Sequence, residues 1–151
     1  MDWPTVLRGI HDVLTSDQGR AEKAVQIAEL VRQAGSYRWV GLYKVTDQEI
    51  AVVGWSGLGA PTYPRFTVTN GLSGAAVAAR RAVVVNDVTA DPRYLTAFAS
   101  TLSEAVVPVM DPGTGVVVGT LDVESGERDA FADADRQALE RVAAASSGLF
   151  A

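Results

Sequence analysis

The feature that most constrains this chain is a β-hairpin between Ser103 and Ser125. Glu104 to Met110 reads as one strand and Val116 to Glu124 as its return, and Asp111-Pro112-Gly113-Thr114-Gly115 between them has the chemistry of a chain reversal. With Met110 facing Val116 across the turn, Glu104 lies directly opposite Asp122. Glu124 is then their diagonal neighbour on the same face, because side chains alternate with period two. The opposite face carries Ala105, Val107, Val109, Val117, Leu121 and Val123, a core face without a polar side chain. Like charges set against each other on a sheet are destabilising, so the acidic face asks for a counter-charge. The alternative is that the second strand ends near Val123 and the acids sit in water at its edge. A one-residue slip in register would dissolve the cluster.

Composition closes off several function classes. At 151 residues the chain is most economically one domain over its whole length, residues 1–151, with enough material for a core that needs no staples. Cysteine is absent, which removes disulfides, thiolate metal sites and thiol nucleophiles together. A net charge of −5 argues against nucleic acid as a main partner, since phosphate binding needs a positive surface. The longest apolar runs are about five residues against the roughly 20 of a spanning helix, so no membrane association is expected. Met1-Asp2-Trp3-Pro4 has neither the basic start nor the apolar centre of a signal peptide, and a cytoplasmic location follows as the default.

The spacing of Val6, Leu7, Ile10, Val13 and Leu14 predicts a first helix over Thr5 to Leu14. Asp17 is the expected N-cap of a second helix, which Gly35 stops. His11 is the only histidine and, standing alone on the first helix with no cysteine or second histidine, reads as a surface or packing residue. Arg38 to Val45 and Ile50 to Trp55 form another antiparallel hairpin, with Trp39, Gly41, Tyr43 and Val45 on one face and Val40 and Leu42 on the other. Trp39 and Tyr43 serve either as core or as the wall of a pocket. Asn70-Gly71-Leu72-Ser73-Gly74 leads into an alanine-rich helix; its spacing matches neither a dinucleotide nor a P-loop fingerprint. Asp87 to Leu102 is a long irregular stretch whose Tyr94, Leu95 and Phe98 suit a lid or binding loop. Asp133 is the expected N-cap of a last helix, whose apolar stripe (Ala138, Leu139, Val142, Ala143) either covers the sheet or meets a second copy in a homodimer.

This order of elements resembles a GAF domain over nearly the whole chain. Within that family it is most similar to the free methionine-(R)-sulfoxide reductases, through Trp39-Val40-Gly41-Leu42-Tyr43, Asn70 to Gly74, Ser103 to Pro108 and Gly119 to Ser125, followed by Phe131-Ala132-Asp133-Ala134-Asp135. The resemblance implies an α+β, GAF-like fold: a six-stranded antiparallel sheet with the N- and C-terminal helices on one face and a ligand pocket on the other. It places the carboxylates that hold the amino-acid part of the substrate on Glu104, Asp122 and Glu124, and the pocket aromatics on Trp39 and Tyr43. The family's cysteines fall on Tyr63, Ser73 and Ala97, the last at the nucleophile. Reduction through a thiolate and a resolving thiol therefore has no residue to run on. The expectation is a small-molecule binding, sensor-type module with no cofactor, taking a cationic or amino-acid-like ligand. Two other classes stay open: an enzyme using the carboxylates directly or through Mg²⁺ or Ca²⁺, and a dimerising interaction module without a ligand.

Overall fold

The computed structural model describes residues 2–96 and 98–151. Its centre is one antiparallel sheet of six strands in the order β3-β2-β1-β6-β5-β4. The strands are β1 (Trp39–Val45), β2 (Glu49–Gly57), β3 (Arg65–Thr67), β4 (Val83–Val85), β5 (Ser103–Met110) and β6 (Val117–Ser125). The two hairpins read from the sequence, β1–β2 and β5–β6, meet where β1 pairs with β6.

The helices α1 (Trp3–Leu14), α2 (Arg20–Gly35) and α4 (Asp133–Ala145) cover one face of the sheet, and α3 (Gly71–Ala79) lies on the other. On the helix-covered face Val6, Ile10, Ile27, Val31, Leu139 and Val142 pack against Val40, Leu42, Val107, Val109, Leu121 and Val123. Each such side chain contributes about 1.5–3 kcal/mol when fully buried. α2 comes so close to β2 that a Cβ on Gly54 would stand 2.7 Å from the Ala24 methyl carbon. Glycine there lets the helix lie directly on the strand. The α4 stripe is spent on its own sheet, with Leu139 and Val142 fully buried, so that stripe offers no face to a homodimer.

Several helix ends differ from expectation. α1 starts at Trp3 because Asp2 caps it, accepting from the Thr5 amide at 3.2 Å. Gly19, not Asp17, occupies the N-cap of α2. Gly35 remains helical and Ser36 takes the left-handed position; a Cβ on Gly35 would overlap the Tyr37 ring at 2.0 Å, so close packing is what requires glycine here. Asp133 is the first residue of α4 and Ala132 the N-cap, whose amide donates to Asp135 Oδ2 at 2.9 Å. This carboxylate interaction replaces the cap that Asp133 was expected to supply.

Candidate functional site

The acidic face forms in a register two residues away from the one expected. Glu104 pairs with Glu124, and Val106, not Glu104, stands opposite Asp122. One residue of the difference arises at the turn, where Met110 pairs with Val117 and not Val116, and the other at an irregularity between Val109 and Met110, which leaves Val118 over. A shift of two conserves parity, so the three acids still share a face. Past the irregularity parity inverts: Val117, expected on the core face, packs with the aromatic cluster on the other side, while Val118 joins the helix-covered core. The solvated-edge alternative fails too, because the strand continues to Ser125, and Glu104, Asp122 and Glu124 are 6%, 6% and 0% exposed.

One oxygen from each of the three carboxyls lies within 4.8 Å of the others. None of the ion pairs formed among the described residues reaches them. Glu124 Oε1 accepts from the Thr101 hydroxyl at 2.8 Å and the Tyr94 hydroxyl at 3.4 Å, whereas Glu124 Oε2 and Asp122 Oδ1 are buried without a hydrogen bond. Burial, more than mutual repulsion, pushes all three carboxyls up: Asp122 to about 6, Glu124 to about 8, and Glu104 well above the ordinary carboxylate range. The Glu104–Asp122 hydrogen bond raises the first and lowers the second, as expected when Glu104 keeps the proton and donates it. Arg38 acts on Glu124 in the opposite sense, less than any other group.

The neighbouring strand supplies the wall. Across β6 from the acids run Trp39 opposite Glu124, Gly41 opposite Asp122 and Tyr43 opposite Thr120. A Cβ on Gly41 would stand 2.3 Å from the Trp39 ring and 3.0 Å from the Tyr43 ring. The missing side chain thus lets both rings fold over position 41, beside Asp122. Tyr43 and Ser73 line a cavity with Glu104 and Asp122, and Tyr63 lines it too. Trp39 stands one layer back: its indole N–H donates to the Gly59 carbonyl at 3.0 Å, and its ring meets Phe98 at 5.6 Å and Tyr43 at 6.3 Å. Ala97 lies outside the described residues. Thr101, Phe66 and Leu72 join the site without having been expected there; Thr101 precedes the start of β5 and has the opposite parity to Glu104, so strand alternation does not select it.

This arrangement can receive a positive group, because two buried carboxylate oxygens lack a donor and the surrounding wall is aromatic. Three hard oxygens at this spacing also suit a divalent ion. No helix is long and apolar enough to cross a membrane among the described residues.

Known proteins place this geometry in context. The chain is 25% identical over 141 residues to GAF domain-containing protein A of Dictyostelium discoideum, a match covering 93% of this chain and 87% of that protein. Its structure is similar, at a TM-score of 0.87 and 27% identity, to free methionine-R-sulfoxide reductase of Neisseria meningitidis solved in complex with its substrate, with 98% of this chain and 87% of that chain covered. The type II free methionine-R-sulfoxide reductase of Thermoplasma acidophilum matches at a TM-score of 0.81 and 26% identity over 87% of this chain and 92% of that one. The family model described as GAF domain matches residues 21–147, and the chain belongs to the GAF domain family.

Proposed function

We propose that this GAF domain is a cytoplasmic small-molecule binding module of the sensor type, whose acidic cavity takes the ammonium group of an amine or amino-acid-like compound. The observation that carries this reading is the buried triad Glu104, Asp122 and Glu124, left with two oxygens that lack a donor. Burying carboxylates without partners costs several kcal/mol. A cationic occupant offsets that cost, which a purely structural role does not. The likeness to a reductase solved in complex with its substrate supports a small-molecule ligand for this fold. Thiol-based sulfoxide reduction has no group to run on, because a chain with no cysteine has no thiolate to attack sulfur.

The spacing of the three oxygens favours one other reading, a hard divalent cation held by the same acids and supporting carboxylate- or metal-dependent chemistry. A thermal-shift screen separates the two. Primary amines and amino acids should raise the melting temperature, and Asp122→Asn should abolish the shift; stabilisation by Mg²⁺ or Ca²⁺ alone would favour the metal. No response to either class would leave the acids without a ligand and overturn the proposal.

A further inference from the structure

The cavity beside the acids is small, with about 30 Å³ open to water. One ordered water takes about 10–15 Å³ on the same measure, so the space suits an ammonium head with almost no carbon behind it. Outside it a groove of about 750 Å³ runs between α3 and the segment from Pro92 to Leu95. Gly71 and Leu95 line both spaces. Gly71 has φ +72°, and a Cβ built on it would stand 3.4 Å from the Leu95 Cβ. The Leu95 side chain is therefore the partition, seated on the first turn of α3. Tyr94, a wall of the groove, places its hydroxyl 3.4 Å from Glu124 Oε1, so the groove reaches the acids along a second line.

We infer that the occupant is an amine with an apolar tail, its head against Glu104 and Asp122 in the small cavity, with Glu124 behind them, and its tail crossing the Leu95–Gly71 contact into the groove. This inference rests on the ammonium reading of the acidic cavity. The groove suits such a tail, since Val68, Ala75, Val77 and Pro92 give it an apolar lining. Leu95 then decides which amines fit. A compound too short to displace it gains nothing from the groove, and a longer one gains with every carbon it places there.

The test is an NMR titration of the whole chain at pH 7.5 with straight-chain primary amines from methylamine to hexylamine. On the unaltered protein affinity should rise about fourfold per methylene beyond the second carbon, the equivalent of about 0.8 kcal/mol per buried CH₂. Ala78→Phe, on the exposed face of α3 that lines the groove, should flatten that series and leave methylamine binding unchanged. Should that variant fail to fold, the chain-length series on the unaltered protein decides alone. If methylamine and hexylamine bind equally and the groove substitution changes nothing, the tail inference is overturned while the ammonium reading stands. If no amine binds at all, both fall.

Discussion

Replacing Asp122 by Asn separates a binding site from a structural element, because the two assign opposite signs to the change in stability. The Asp122 carboxyl ordinarily titrates at 3.8 and is pushed up to about 6 in the fold by burial. The fold thus holds this proton more tightly than the unfolded chain does. Below 3.8 the group costs nothing; the cost grows as pH rises and is complete above about 6. The gap between 3.8 and about 6, at about 1.36 kcal/mol per pH unit, is about 3 kcal/mol. Asparagine has almost the same shape, carries no charge to desolvate, and keeps a carbonyl oxygen that can accept from the protonated Glu104.

Asp122→Asn should therefore be at least as stable as the parent at pH 7 without ligand, by up to about 3 kcal/mol, and no different near about pH 3.5. For a domain of this size each kcal/mol moves the melting temperature by about 2–4 °C, so the gain should approach about 9 °C. Calorimetric melting curves between about pH 3.5 and 8 read it directly. A variant less stable than the parent at neutral pH would refute the reasoning, and so would a difference that fails to grow between about pH 4 and 6. Either result would make Asp122 a scaffold residue.

Further predictions follow from the same geometry. Binding of butylamine near about pH 6.5 should release protons, because Glu124, pushed up to about 8, and Glu104 lose theirs to a cation; calorimetric heats that stay the same in buffers of different ionisation enthalpy would contradict this. Gly41→Val should cost more than about 2 kcal/mol in urea denaturation, since its side chain would enter the space occupied by the Trp39 and Tyr43 rings. Purified protein coupled to thioredoxin and NADPH should show no consumption that depends on methionine sulfoxide, and turnover above a boiled control would overturn the exclusion of thiol chemistry.

Alternation made the acidic face legible in the sequence, and parity explains why it survived an error in register. Any even shift keeps Glu104, Asp122 and Glu124 together, so the cluster was readable although the partner assigned to Glu104 was wrong. Val117 had no such protection: the left-over Val118 sits between it and the rest of β6 and changes its face, and nothing in a run of three valines marks where a bulge falls. Helix ends failed for a related reason. Asp17 and Asp133 are good caps by residue type, yet Gly19 and Ala132 hold the positions, because the packing of a helix body fixes where its first turn begins.

The site's identity divides along the same line. Its floor is strand, where period two carries information across the β1–β6–β5 pairing and puts Trp39, Gly41 and Tyr43 beside the acids. Its roof is irregular chain, where Tyr94 and Thr101 reach Glu124 and Leu95 rests on Gly71, and no periodicity reports such contacts. The floor carries charge and the roof sets volume. The acidic face was therefore readable from residue order alone, whereas the wall between cavity and groove rests on a leucine touching a glycine more than twenty residues away. A chain that keeps the floor and varies the roof can reshape the space above the acids without moving a carboxylate, and here it is Leu95, on the irregular stretch the sequence marks as a lid or binding loop, that divides the acidic cavity from the larger groove.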